Sequence, residues 1–320
     1  MDLSETVRAL MQDGKGIVLT GESNETEDAR LLSFGIGSAD ARREYHELLI
    51  TTPGIEGHVS GIILSPEAIH ENASTGMPLP ELIVSKNILV GVSLFADTPD
   101  ESFVEKIREY RSHGALFAFF SVPVSVSSEP VSEELQKNIH SLAECATHAL
   151  AEGIVPILSP DISMYGAHSA AQAEDYLLEV LSLLADDLKA ALVPLDQILI
   201  GASMAVSGSE NSARADAAEV SERSVRSLTT ALSDKIGGVL FLSDAQTPTE
   251  ATANLNALAR LEPLPWPIAF CFARALQEPV LEVWKGNQEN FAEAQSAFEG
   301  RLSLLSRADA AGYSKTLEEA

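Results

Sequence analysis

Chemistry in this chain has to come from the polar residues that end its apolar runs. Ser23, Ser65, Ser93, Ser121, Ser159, Ser207 and Ser243 all fall at or near such ends. Two readings stand side by side: a neutral, hydroxyl-lined pocket for a polar uncharged ligand, or small side chains that fill space. Asp97 and Asp244 lie on the same rim, and each also reads as a cap or turn residue. Of the seven histidines only His168, in Asp161-Ile-Ser-Met-Tyr-Gly-Ala-His168, comes just after a run. No serine stands at a spacing that would make it the partner of His168, so a nucleophilic triad is not supported. A loop histidine that holds backbone is the simpler reading. Zinc needs several converging histidines or carboxylates, and the other histidines belong to helices, loops and strand entrances, so neither a metal nor another cofactor is expected. The eight lysines are 15, 86, 106, 137, 189, 235, 285 and 315. Lys15 and Lys86 precede their runs and the rest read as solvated charges, so no lysine is placed to act as a nucleophile.

The elements that must position these residues are eight apolar runs, near 17–22, 59–65, 88–94, 116–124, 154–159, 198–206, 237–243 and 267–272. Amphipathic segments separate most of them. Asp2-Leu3-Ser4-Glu5 has capping-box spacing ahead of Val7, Leu10 and Met11, which predicts a short N-terminal helix. Ser38 opens a helix to about Thr51, with Arg42, Arg43 and Glu47 on its wet side. Thr98-Pro99-Asp100-Glu101 and Thr247-Pro248-Thr249-Glu250 are capping boxes with proline at the first helical position. The segments 132–152, 169–190 and 213–233 read as helices too.

Continuous apolar strands alternating with helices predict a parallel sheet covered on both faces. Eight such units predict an α/β fold, a (β/α)8 TIM barrel of ~250 residues plus extensions. The chain is read as a single domain over 1–320, with a short N-terminal helix and a C-terminal helical extension. An open doubly wound sheet is the alternative, but no Gly-x-Gly-x-x-Gly turn opens a helix. The polar tail 309–320 is expected to fray. In such a barrel the site is built at the C-terminal ends of the strands.

Several stretches carry a resemblance to a known family. They are Gly14-Lys-Gly-Ile-Val-Leu-Thr-Gly-Glu22-Ser23, Gly153-Ile-Val-Pro-Ile-Leu-Ser159-Pro-Asp161 and Phe241-Leu-Ser243-Asp244-Ala-Gln246 followed by Asn254-Leu-Asn-Ala. Phe272-Ala-Arg274-Ala-Leu-Gln277 and Trp284-Lys-Gly-Asn-Gln-Glu-Asn290 follow in order. Together they resemble the class I fructose-1,6-bisphosphate aldolases over roughly residues 5–313. The resemblance implies a barrel in which a lysine amine forms an imine with a ketone substrate, an electron sink for the carbanion.

Laid on the family's pattern, Ile198-Leu-Ile-Gly-Ala-Ser-Met-Ala205 puts Ala205 where the Schiff-base lysine stands. The other charged positions of the family fall on Gly21, Ser93, Phe119, Ser121 and Ser159. What persists is Glu22, Ser23, Arg30, Asp161, Ser243, Gln246 and Arg274. Asp161 and Glu22 are the candidate acid and base, and Ser23, Arg30, Ser243, Gln246 and Arg274 are the candidate ligand-binding residues. Asp244 replaces a glycine beside the phosphate-holding Ser243 and Arg274. Two outcomes are open there: a surviving anion site, or an internal salt bridge from Arg274 to Asp244 or Asp161. Phe119 and Phe120 stand where the family has a lysine and a tryptophan, and are expected to plug the barrel mouth. The resemblance thus implies an aldolase-like protein unable to do Schiff-base cleavage. The alternatives are a different enzyme, perhaps in specialised biosynthesis, and residual aldolase activity.

The totals set limits. A net charge of −26 repels phosphate backbones and argues against a nucleic-acid partner. It also opposes a bisphosphate unless a basic pocket offsets it. No apolar run approaches the ~20 residues of a membrane span, so no membrane partner is expected. The N-terminus has no basic region followed by an apolar stretch, and Cys145 and Cys271 read as buried thiols. A cytoplasmic protein is the expectation, with a small-molecule ligand at the C-terminal barrel face. A homo-oligomer is implied only by the family's habit of forming tetramers.

Overall fold

The structure is a computed structural model that describes residues 1–21, 23–38, 40–96, 99, 101–127 and 131–319. Eight parallel strands close on themselves in sequence order. They are β1 (Gly16–Leu19), β2 (Val59–Leu64), β3 (Leu89–Phe95), β4 (Ala115–Ser125), β5 (Val155–Ser163), β6 (Leu199–Ser203), β7 (Val239–Leu242) and β8 (Ile268–Phe272). The ring closes through the pairs Ile17–Cys271 and Val18–Phe272. Helices fill the connections: α1 (Leu3–Leu10), α2 (Asn24–Ser33), α3 (Ala41–Ile50), α4 (Leu79–Ser85), α5 (Glu101–Ser112) and α6 (Glu133–Ala151) in the first half. In the second half come α7 (Ala170–Ala190), α8 (Ala217–Ala231), α9 (Pro248–Ala259), α10 (Arg274–Trp284) and α11 (Phe291–Asp309).

The strands read as unbroken apolar runs because both of their faces are buried. Alternate side chains point to opposite faces. Ile17, Leu19, Phe117, Phe119, Val155, Ile157, Leu240, Leu242 and Cys271 fill the barrel interior. Val18, Phe120, Leu158, Ile200, Phe241 and Phe272 pack outward under the helices. α1 closes the bottom with Val7, Leu10 and Met11, and its capping box forms as its spacing predicts.

The element bounds differ from the sequence expectation in instructive ways. β5 pairs with β4 out to Ser163, so Asp161 lies within a strand and not after one. β6 ends at Ser203, so Ala205 lies beyond it. The helix expected from Ser38 begins at Ala41, and α2 forms where no helix was expected. Its apolar periodicity is weak, and what anchors it is polar. Thr98 and Asp100 lie outside the described residues; α5 follows from Glu101.

The end of the chain packs down where fraying was expected. Tyr313 is buried, its N–H donates to Asn256 at 2.9 Å and its hydroxyl donates to Glu318 at 2.8 Å. Arg301 meets Glu318 at 2.5 Å. Among the described residues no helix is long and apolar enough to cross a membrane.

Candidate functional site

The C-terminal ends of the strands line an open cavity of about 130 Å³. Its floor is Leu19, Phe119, Leu242 and Cys271, one inward side chain from each of β1, β4, β7 and β8. Its rim is polar: Asp161, Ser243, Asp244 and Arg274. Ligand pockets for drug-sized molecules run to roughly 300–1,000 Å³, so this one is small. Phe119 forms part of its floor. Its ring reaches across the barrel to β6: a side chain added at Gly201 would meet Phe119 Cε2 at 3.2 Å and Ser159 Cβ at 3.0 Å. Phe120, expected to share the plug, faces the other way and packs against Phe103 with ring centroids 5.9 Å apart. Neighbouring strand residues cannot both point inward.

Arg274 opens α10 directly after β8, and its Nη2 donates to Asp244 Oδ1 at 2.7 Å. The other oxygen of Asp244 accepts the N–H of Met164 at 2.8 Å. Tyr165 then lays its ring over the guanidinium, 5.1 Å from its carbon. The loops after β5, β7 and β8 are thus tied together by one carboxylate and one guanidinium. Of the two outcomes foreseen for Arg274, the internal salt bridge is the one found, and its partner is Asp244.

A second cleft, about 460 Å³, adjoins the mouth cavity and shares Leu19, Ala273 and Arg274 with it. It is lined by Gly21, Arg30, Ser33, Phe34, Arg274 and Glu278 among others. Arg30 donates to the Thr20 carbonyl at 2.7 Å. Ser23 precedes α2, and its carbonyl accepts the N–H of Glu27 at 3.1 Å. Glu22 and Asp97 lie outside the described residues. The described Lys residues line neither space.

The other sequence candidates scatter. Gln246 accepts a hydrogen bond from Asn254 at 2.7 Å, while its own Nε2 is buried without a partner. Ala205 is fully buried among the residues packed between sheet and helices, and its N–H donates to Ser224 of α8 at 2.8 Å. The serines mostly serve backbone. Ser93 donates to Gly21 O at 3.2 Å, Ser203 to Ile162 O at 2.9 Å and Ser207 to Ala213 O at 3.1 Å. Of the seven strand-end serines only Ser243 lines the mouth cavity, which removes the hydroxyl-lined pocket as a description of it. Ser121 is buried, and Ser159 is fully buried with its hydroxyl unpartnered.

His168 lies where the loops after β5 and β6 are joined. Its carbonyl accepts the N–H of Gly208 at 2.9 Å, while its ring Nε2 is buried and unpartnered. Burial first, then the charge of Arg214, hold its pKa below the ordinary histidine value. A neutral ring in a structural loop fits these facts. Among the described residues no group of three His, Cys, Asp or Glu could hold a metal.

Sequence reasoning missed a buried polar cluster behind the end of β1. His46 Nε2 meets both carboxylate oxygens of Glu27, at 2.9 and 3.1 Å, and both residues are fully buried. Glu71 stands 3.8 Å from His46 Nδ1, and Arg42 bridges Glu71 and Asp28 at 3.1 and 2.8 Å. Burial works against a charge on His46, but the Glu27 and Glu71 carboxylates outweigh it, and the pKa is pushed up to about 9. A Cβ on Gly21 would meet Glu27 at 3.2 Å, so Glu27 occupies the space a side chain there would need. Tyr45 and Gln277 extend the cluster: Tyr45 donates to Gln277 at 2.5 Å, and Gln277 to Leu19 O at 2.6 Å. The only signal in the sequence was the missing side chain of Gly21.

A closed eight-stranded parallel barrel with a polar rim at its C-terminal face defines a (β/α)8-barrel protein with a site at the usual end. Comparison with known proteins narrows this. Residues 2–320 match the family model for fructose-bisphosphate aldolase class-I. The probable fructose-bisphosphate aldolase class 1 of Xylella fastidiosa (strain 9a5c) is 33% identical over 309 residues, covering 92% of both chains. Fructose-bisphosphate aldolase 1, chloroplastic, of Arabidopsis thaliana is 30% identical over 98% of this chain and 82% of its own. The solved structure of fructose-bisphosphate aldolase from Plasmodium falciparum, in complex with TRAP and a small-molecule inhibitor, superposes with a TM-score of 0.91. It is 29% identical and the match covers 98% of this chain and 95% of that one. The chain belongs to the class I fructose-bisphosphate aldolase family.

Proposed function

We propose that this protein is a member of the aldolase family that does not cleave sugar phosphates through an imine and acts by binding at its barrel mouth. One observation carries the reading. The cations that line the mouth cavity and the adjoining cleft are Arg30 and Arg274, both guanidiniums, and no amine is among them. An imine needs a neutral amine, and a guanidinium, which stays protonated in proteins, does not supply a nucleophile. The closed state of Arg274 adds to it: the group that would hold a substrate phosphate is already paired with Asp244 at 2.7 Å. The family's charged positions fall here on Gly21, Ser93, Phe119, Ser121, Ser159 and Ala205, which supports loss of the chemistry and retention of the scaffold. A cytoplasmic setting fits two buried cysteines that form no disulfide.

Borohydride trapping with dihydroxyacetone phosphate tests the reading directly. The expected result is no covalent adduct by mass spectrometry of the intact chain. A stoichiometric adduct on any lysine overturns it and returns the protein to the activity in its relatives' names.

One observation favours a second reading. Asp161 lines the mouth cavity, where it could move a proton in a different reaction, with Glu22 as the other candidate. Turnover of a small molecule that is lost in Asp161→Asn and kept in the exposed-surface variant Glu134→Gln would replace the binding role by a repurposed enzyme.

A further inference from the structure

We propose that α2 is a movable wall of the cleft beside the barrel mouth, clasped to the barrel by the buried ion pair Glu27–His46 and released when that pair loses its charge balance. The proposal goes beyond the non-imine reading and does not depend on it.

α2 gives the cleft one side through Arg30, Ser33 and the Phe34 that follows it. Little apolar surface holds that side in place. Among the described side chains of α2 only Glu27 and Leu31 are buried, and Leu32 stands out at 62% exposure. A surface helix usually docks through a broad apolar stripe. Here the remaining ties are polar. Arg30 donates to Thr20 O at 2.7 Å, Asp28 meets Arg42 at 2.8 Å, and Glu27 meets His46 Nε2 at 2.9 and 3.1 Å. The Asp28 carboxylate is about half exposed, and such ion pairs add little. Leu31 and the buried pair carry the attachment.

The seat of the Glu27 carboxylate exists because residue 21 is glycine: a Cβ there would lie 3.2 Å from Glu27 Oε2. The charged and titratable groups around the pair are Glu71, Arg42, Asp28, Arg30 and Tyr45. Arg42 is spent on Asp28 and Glu71. Arg30 turns to the Thr20 carbonyl. Tyr45 stays neutral, because burial raises its pKa. His46 is thus the cation in contact with Glu27. Burial opposes its charge, but Glu27 and then Glu71 outweigh burial and push its pKa up to about 9.

Once that proton leaves, Glu27 is a fully buried carboxylate facing a neutral ring. A buried charge stripped of its counter-charge is strongly unfavourable. Water relieves it, and α2, with few apolar contacts to lose, is the element that swings out to reach water. The clasped state holds the proton more tightly than the released one. Opening is therefore rarest below about pH 6.5, rises about tenfold per pH unit, and levels off above about 9.

The test is hydrogen exchange of the full chain read by mass spectrometry across this window, with rates corrected for the intrinsic pH dependence of amide exchange. Peptides covering α2 should exchange through an opening insensitive to sub-denaturing urea, the mark of local release. Their protection should fall about tenfold per pH unit between about 7 and 9. Peptides from β5 should exchange only through urea-sensitive unfolding. Glu27→Gln removes the buried charge and keeps its shape, so its α2 should show no pH step. His46→Gln lacks the cation at every pH, so its α2 should be open throughout. Asp28→Asn, at the exposed pair, should keep the parental step. A parental α2 whose protection is flat in pH overturns the proposal. So does a parental step retained in Glu27→Gln, and so does α2 exchange with the urea dependence of β5. Should His46→Gln fail to fold, the comparison of parent with Glu27→Gln still decides. None of these results touches the non-imine reading, which falls only on a trapped adduct.

Discussion

Arg274 and Asp244 meet at 2.7 Å across the loops that follow β8 and β7, and the second oxygen of Asp244 holds the N–H of Met164 at 2.8 Å. One carboxylate therefore spends both oxygens on tying together the loops around the barrel mouth. Asp244→Gly removes the competitor for Arg274. Affinity for inorganic phosphate should rise at least tenfold, read by calorimetry at low salt, because a charge-assisted contact to Arg274 is worth about 1.5–3 kcal/mol. If phosphate is bound no better in Asp244→Gly than in the parent, the ion pair is not what closes the site.

Replacing Ala205 by lysine should not create an imine-forming amine. Ala205 is fully buried between sheet and helices, and an ammonium left unpaired in such a place costs about 3–5 kcal/mol. Ala205→Lys is expected to lower the melting temperature and to give no borohydride-trapped adduct. Trapping on the introduced amine would show that the position opens to the mouth after all.

Ser159 offers a gain in stability. Its hydroxyl is fully buried and has no partner, and removing an unsatisfied buried polar group recovers its desolvation cost, about 1 kcal/mol. Ser159→Ala should unfold at equal or higher denaturant concentration than the parent. A loss of more than about 1 kcal/mol would mean that the hydroxyl is satisfied in solution.

Stability should fall as the solution turns alkaline, for two reasons of the same sign. His46 has its folded pKa raised to about 9 by Glu27 and Glu71. The folded state holds that proton more tightly, so the contribution is full below about 6.5 and lost as pH rises through about 9. Asp309 has its folded pKa raised to about 7, by burial first, with Glu262 and Asp13 adding to it and the Gly14 N–H opposing. Its folded state also favours the proton, so stability declines from about pH 4 to about pH 7. Melting curves against pH should therefore lose their slope between 4 and 7 in Asp309→Asn, and between 6.5 and 9 in His46→Gln. A parental curve that is flat over both windows would refute these assignments. In acid the sign reverses for Glu71, whose pKa is lowered first by the His46 ring 3.8 Å away and then by Arg42. Its contribution is present above the ordinary carboxylate range and lost as pH falls through the folded value.

Much of the fold was legible in the sequence for a simple reason. Strands buried on both faces must be apolar along their length, and helices on a barrel must be amphipathic, so both patterns are written in consecutive residues. The capping boxes at Asp2 and Thr247 formed as their spacing demands because a cap is satisfied within four residues. α2 escaped notice because its hold on the barrel is polar and distant: Glu27 reaches His46, nineteen residues on. The tail escaped for the same reason, tied down by Asn256 and Arg301 from elsewhere in the chain.

The sequence alone determined which residue types stand at each strand end, and with them that position 205 carries no amine while 161 and 274 carry a carboxylate and a guanidinium. Only tertiary structure decided what those residues do. Whether Arg274 takes a phosphate or Asp244 depends on the distance between two loops thirty residues apart. Whether Phe119 or Phe120 fills the barrel depends on which one the strand turns inward. Such choices are set by register and by charge meeting charge through space, and neither is carried by any local stretch of the chain.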